Sequence, residues 1–209
     1  MLQLREVKQE EINACIRLVQ AAFDDYLFFK AYVDDPERKE QFYNKLMEIW
    51  VRSIADRHTL YVGEEFGEIQ AVAGVQRPHQ KDIENRDYLD YGGREALAIA
   101  GEDDTKRFLE MLAISDEPCH AIPQPKWYFE LLAVRTDRSG RGIGTRMFTE
   151  GLLPLVAQNG GGITTLNTNT EPNVRFYLKN GFKVIDERWL HANGHEIPNW
   201  SFVRNVEPV

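Results

Sequence analysis

The sequence predicts a mixed α/β fold, a central sheet of about seven strands flanked by helices. Three observations carry this. Short segments with strand-like apolar patterning recur along the chain. Between them lie stretches whose apolar residues fall three and four positions apart. Glycine or proline punctuates many of the junctions. With 209 residues, 43% hydrophobic and 11% aromatic, the chain has enough apolar side chain to bury a full core.

In order, Leu2–Lys8 alternates imperfectly and reads as a first strand. Glu10–Phe23 carries Ile12, Ile16, Val19 and Phe23 on one stripe, a helix. Pro36 can open a second helix, with Phe42, Leu46, Ile49 and Ile54 facing inward. Thr59–Glu65 and Glu68–Gln76 are two strands about the tight Phe66-Gly67 turn, a hairpin. From Arg77 to Pro125 the pattern changes. His79–Asn85 is polar, Tyr91-Gly92-Gly93 breaks the chain, Arg94–Leu112 reads as helix, and Pro118, Pro123 and Pro125 mark a loop. Residues 77–125 are thus a helical insertion before the fourth strand.

Trp127–Val134 is nearly continuous and apolar, as a buried central strand should be, and its only charge is Glu130. Gly142–Gln158 is the following helix, ended by Gly160-Gly161-Gly162, with Pro154 expected to kink it. Ile163–Thr168 is a strand and Pro172–Asn180 a short helix closed by Gly181. Phe182–His191 and Ile197–Asn205 finish the sheet. With no repeat and no long linker, residues 1–209 read as one domain.

The net charge is −8 and no run of Lys/Arg stands out, so nucleic acid is not an expected partner. The N-terminus lacks the apolar core of a signal peptide. No segment approaches the ~18 apolar residues of a membrane span, so no membrane association is expected. Cys15 and Cys119 alone make neither a disulfide framework nor a zinc pattern. A cytoplasmic location and no bound metal are the expectation. A homodimer is compatible with the sequence, which holds no motif that fixes oligomeric state.

The informative stretch is strand, short loop, glycine-rich turn, helix. Glycines 140, 142 and 144 leave backbone N–H groups unshielded where helix dipole and unpaired donors both favour an anion such as a phosphate. Arg138, Arg141 and Arg146 add positive charge. A P-loop would need Gly-Lys-Ser/Thr, and Gly144-Thr145-Arg146 stands here. A dinucleotide fingerprint would place its third glycine at 145 or 147, which hold Thr145 and Met147.

Ser139-Gly-Arg-Gly-Ile-Gly144 resembles the Gln/Arg-x-x-Gly-x-Gly/Ala signature of the GNAT superfamily of N-acetyltransferases, with Ser139 in the place of Gln or Arg. Asn173-Val-Arg-Phe-Tyr-Leu-Lys-Asn-Gly-Phe182 is similar to that family's Asn-x-x-Phe-Tyr-x-x-x-Gly-Phe segment. Trp200-Ser-Phe-Val-Arg204 resembles a closing strand of a small-molecule branch. The resemblance implies a mostly antiparallel mixed sheet, acetyl-CoA as cosubstrate, and residues 127–182 as its binding core. It also implies pyrophosphate held by the backbone of Ser139, Gly140, Arg141, Gly142, Ile143, Gly144 and Thr145. Backbone groups of Leu132, Ala133 and Val134 would hold the pantetheine arm as an added strand. Asn173 would contact the cofactor.

Acetyl transfer to an amine needs a group that removes the ammonium proton and one that protonates the leaving thiolate. Glu130, beside the turn, is the candidate base, since a carboxylate in an apolar setting is a stronger base than one in water. Tyr177, where the family commonly places a tyrosine hydroxyl, is the candidate acid. The expected acceptor is the primary amine of a small molecule, attacked directly in a ternary complex. The other readings are acetylation of a protein or peptide amine and a non-catalytic acyl-CoA sensor. Residues 24–35 and 77–125 would supply an aromatic and acidic acceptor pocket (Tyr26, Phe28, Phe29, Tyr32, Asp34, Asp35, Tyr88, Tyr91) suited to a cationic or aromatic amine. Cys119-His120, His191 and His195 read as structural or solvated residues.

Overall fold

In the computed structural model, which describes residues 2–138 and 140–209, seven strands form a single sheet. They are β1 (Gln3–Glu6), β2 (Thr59–Glu65), β3 (Glu68–Gln76), β4 (Lys126–Val134), β5 (Gly162–Thr168), β6 (Lys183–Ala192) and β7 (His195–Val206). The order is β1-β2-β3-β4-β5-β7-β6, and every neighbouring pair is antiparallel except β4 and β5. The strand and hairpin readings hold closely, the Phe66-Gly67 turn included. Both turn residues have φ above 0, as a tight hairpin asks.

Helices cover both faces. On one lie α1 (Ile12–Ala22), α2 (Leu27–Lys30), α3 (Pro36–Arg57), α4 (Gly93–Ala100) and α5 (Glu102–His120), whose apolar stripes meet Leu131 and Ala133 of β4. On the other, Phe129 meets Phe148, Leu152, Val156 and Tyr177 from α6 (Ile143–Arg146), the wide turn after it, α7 (Leu153–Gln158) and α8 (Glu171–Lys179). Pro36 opens α3 as expected, and the Asp35 carboxylate accepts from the Arg38 N–H at 2.9 Å.

Three departures from the sequence reading have physical causes. The insertion holds two helices rather than one, broken at Gly101, which adopts φ +88°. The freed carbonyls of Ile99 and Ala100 accept from the Arg38 guanidinium, each at 2.8 Å. Second, α5 runs to His120 through Pro118, where a loop was expected. The proline removes the donor that would meet the Ile114 carbonyl, and Arg188 Nη1 donates to it at 3.3 Å instead. Third, the irregularity expected at Pro154 takes the form of a change in helix type. A π-helical turn over Met147–Leu152 widens the coil just before it and accommodates the ring against Glu150.

Two local features shape the site. β4 and β5 pair only over Lys126–Tyr128 and Ile163–Thr165, so the β5-facing edge of β4 from Phe129 to Val134 has no strand beside it. β3 and β4 slip register between Gly74 and Val75: Gly74 faces Leu131, Val75 faces Phe129, and Glu130 is the bulged residue between.

Candidate active site

The bulge re-aims Glu130 out of the ladder and into a cavity of about 340 Å³ between β4 and α1–α5. Its carboxylate meets a residue the sequence reading overlooked. His58 ends α3, is almost fully buried, and places Nδ1 2.6 Å from Glu130 Oε1. Its Nε2 lies 2.9 Å from the Lys81 carbonyl. Gly74 makes this approach possible. A Cβ there would stand 2.7 Å from Ile54 Cδ1 and 3.2 Å from Leu131 Cβ, so only glycine lets the last turns of α3 settle onto β3 and β4. Burial by itself would push the imidazole down. The hydrogen bond and charge of Glu130, helped by the Lys81 carbonyl and Asp82, outweigh it and hold the imidazole above its ordinary range. The signal lay in spacing, since His58 stands four residues after Ile54 on the same inward stripe.

A second carboxylate reaches the cavity from α5. Asp116 Oδ1 accepts from the Asn167 amide at 2.6 Å and from the Tyr128 hydroxyl at 3.0 Å. Asn167 and Asn199 amides also donate to the Ser115 carbonyl, at 3.1 and 3.2 Å, and fasten α5 to β5 and β7. Burial raises the Asp116 pKa, against the opposing Asn167 bond, the His120 charge and the Tyr128 bond, and the Glu130 charge adds to the rise. Most of the remaining wall is apolar or aromatic, including Phe28, Trp50, Tyr88 and Phe108, with a few neutral polar side chains such as Asn85 and Thr105. Among the described lining residues none is Lys or Arg.

Tyr177 reaches the same cavity from α8. Its ring packs on Phe148, Phe182 and Phe202, and its hydroxyl has no hydrogen-bond partner among the described residues. Burial, then the neighbouring Tyr26, pushes that hydroxyl well up, so it stays protonated at neutral pH. Asn173, one turn earlier, donates its amide to the Tyr26 hydroxyl and, at 3.1 Å, to Thr168 Oγ1. That links α8 to the α1–α2 junction, a structural use beside the cofactor contact expected of it.

Leu132 also lines the cavity, which therefore reaches the unpaired edge of β4. Beyond Val134 lies the glycine turn. Ser139 falls outside the described residues. Gly140 and Gly142 adopt φ +76° and +74°, and a Cβ on either would meet nothing within 4 Å, so their backbone is open on the side a ligand would take. Ile143 is buried, so it offers an approaching anion only its backbone, as does Gly144. Gly144 has a packing reason of its own, because a Cβ there would stand 3.3 Å from Phe176 Cζ. Thr145 follows in α6. Arg138 and Arg141 border this turn. Arg146 borders the same recess and is paired with Glu65 by two bonds of 2.7 and 2.9 Å. The open edge of β4 and the open turn fit a pantetheine arm and its pyrophosphate.

Of the acceptor residues read from sequence, Tyr26, Phe28, Phe29 and Tyr88 line the cavity. Tyr32 is buried behind it, Tyr91 bonds to Asp56 and Arg57 at the surface, and Asp34 and Asp35 are exposed. The acidity expected of the last two comes instead from Glu130 and Asp116. Cys119 is buried against the Leu166 carbonyl at 3.4 Å, and burial pushes its thiol up to about 11. It is no thiolate nucleophile at neutral pH. Among the described residues, no group of three or more His, Cys, Asp or Glu is placed to hold a metal ion. No helix among them is long and apolar enough to cross a membrane.

A parallel pair that splays beside a glycine-opened helix start, over a pocket holding a carboxylate and a tyrosine, makes up the candidate site. A model of the acetyltransferase (GNAT) domain matches residues 94–184. That segment is similar to the acetyltransferase (GNAT) domain, and enzymes of that family use acetyl-CoA as cosubstrate. Solved structures share the chain's fold over nearly the whole length at 16% identity. One is a histone acetyltransferase and related acetyltransferase from Corynebacterium glutamicum, with TM-score 0.67 and coverage of 100% of this chain and 97% of that one. An agmatine N-acetyltransferase gives 0.64, with 98% and 100% covered. A Drosophila melanogaster polyamine N-acetyltransferase gives 0.62, again with 98% and 100% covered.

Proposed function

We propose that this chain transfers the acetyl group of acetyl-CoA to the amine of a small, cationic molecule with an apolar or aromatic body, by direct attack in a ternary complex. The observation that carries this reading is one cavity that holds Glu130, Asp116, Tyr177 and the open edge of β4 together. An ammonium group is drawn to a pocket with two carboxylates and no lining Lys or Arg, and the aromatic wall suits an apolar body or cation–π contact. The names of two fold relatives, agmatine and polyamine acetyltransferases, point the same way. α4 and α5 roof the cavity, which favours a small acceptor over a protein segment.

In this reading Glu130 takes the ammonium proton, directly or through a water, because only the neutral amine attacks. As the amine nitrogen bonds to the acyl carbon and the carbon–sulfur bond breaks, Tyr177 gives its proton to the sulfur. The tyrosinate is reprotonated from the amide nitrogen's excess proton or from solvent. Backbone groups of Leu132, Ala133 and Val134 hold the cosubstrate's arm. Gly140, Gly142, Ile143, Gly144 and Thr145, with Arg138 and Arg141, hold its phosphates. The test is release of free thiol from acetyl-CoA across a panel of amines. Monoamines and diamines with apolar bodies should be turned over, and anionic amino acids and lysine peptides should not. Turnover confined to peptides would contradict the reading.

A further inference from the structure

Glu130 does not act alone. We infer that His58 is a positioning residue that, as an imidazolium anchored on the Lys81 carbonyl, fixes the Glu130 carboxylate and leaves its second oxygen free to take the substrate proton. The inference rests on the reading of Glu130 as the base, and one arm of its test needs no substrate.

The geometry limits the proton count. The Lys81 carbonyl can only accept, so at 2.9 Å His58 Nε2 carries a proton. Nδ1 lies 2.6 Å from Glu130 Oε1, a separation at which two bare lone pairs would repel. One proton therefore sits in that contact, and with Glu130 ionised it belongs to His58. The ring is held at two points, by Lys81 and by Glu130, and the His58 backbone is fixed to α3, where its N–H donates to the Ile54 carbonyl at 3.0 Å. When Glu130 Oε2 accepts the ammonium proton, the pair goes from neutral to singly positive as the substrate goes from positive to neutral. The charge of the cavity is unchanged, which suits a low-dielectric site.

Other ionisable groups face the pair. Asp82 approaches from the segment after β3, Tyr88 from the helical turn Asp87–Tyr91, Asp116 and His120 from α5, and Tyr128 from β4. Asp82 favours the imidazolium, whereas the Asp116 carboxyl, whose pKa burial raises, is engaged by Asn167 and Tyr128. The tyrosines are pushed up by burial and stay neutral.

A role confined to packing would not touch the pH profile. His58→Ala should lower kcat by about 10²-fold, the loss expected when a reacting group is misplaced by about 1 Å, with the KM for acetyl-CoA unchanged. His58→Asn, which keeps an N–H near Nδ1, should regain most of that rate. In both variants the acid limb should move to higher pH, because the cation that favours the charged carboxylate is gone. An alkaline limb present in the parent should disappear in His58→Asn. If both variants keep the parent profile, the inference is wrong.

The substrate-free arm is the ¹⁵N NMR spectrum of the His58 ring. At neutral pH both nitrogens should be protonated in the parent, and Glu130→Gln should convert the ring to the neutral Nε2–H form. An unprotonated Nδ1 in the parent protein would overturn the inference even if acetyl transfer is confirmed. Failure of acetyl transfer with this NMR result intact would instead fault the functional reading.

Discussion

The proposed phosphate end of the site is one contiguous stretch, Gly140 to Thr145, whereas the proposed acceptor end gathers His58, Tyr88, Asp116, Glu130 and Tyr177 from five elements. At the first end the chain uses backbone: two left-handed glycines and an unpaired helix start. At the second it uses side chains whose positions depend on how α3 and α5 pack on the sheet. Damage to the glycine turn should therefore stay local and cost cosubstrate binding. The acceptor end can be damaged from a distance, through any residue that shifts a helix.

The largest expected effect is at the chemistry. Glu130→Gln should lower kcat by about 10²–10⁴-fold and Tyr177→Phe by about 10–10³-fold, with acetyl-CoA affinity nearly intact, the range for losing a general base or acid. Isothermal titration beside steady-state rates separates the two. Next is Asp116→Asn, which keeps the size and removes the charge. It should cut kcat/KM for cationic amines by about 10–10²-fold, equivalent to one charge-assisted hydrogen bond, and spare neutral ones. Because that charge is enclosed, the preference should survive higher salt, whereas steering by exposed Asp34 and Asp35 would fade as ionic strength rises. A cationic preference that collapses with salt would return the selectivity to the surface.

Gly142→Val should lose acetyl-CoA's elevation of the melting temperature, and its strained φ should cost about 1–3 kcal/mol of stability. The companion at the other end is Gly74→Val. It touches no ligand, yet it should cost about 1–3 kcal/mol by overpacking Ile54 and lower kcat by displacing His58. If its rate is normal, the acceptor end is less dependent on packing than described. The smallest effect is in stability against pH. The His58 pKa is raised above its ordinary value of 6.5, so its contribution is complete below 6.5 and is lost as pH rises through the folded value. Urea midpoints of parent and His58→Asn should therefore differ most near pH 6 and converge in mild alkali.

The sheet, the glycine turn and the position of Glu130 on the central strand could be read because each is encoded within a dozen neighbouring residues. Apolar runs, turn glycines and one charge on a buried strand are local signals. The His58–Glu130 contact is not local. It depends on a β-bulge and on Gly74 admitting Ile54, and neither leaves a mark in single-sequence periodicity. Asp116 was hidden by Pro118, which suggested a loop where Arg188 lets a helix continue. Asp34 and Asp35 misled for the opposite reason. Two acids beside aromatics look like a pocket in sequence, but Asp35 caps α3 and both are exposed.

The central claim is that one cavity brings a cationic amine to Glu130 and Asp116 beside the acetyl donor. Thiol release from acetyl-CoA, measured with a matched series in which only the acceptor's second substituent changes from cationic to neutral to anionic, tests it most directly. The account predicts kcat/KM falling in that order, with the cationic advantage reduced in Asp116→Asn. Equal rates across the series, or an anionic acceptor preferred by the parent protein, would contradict it.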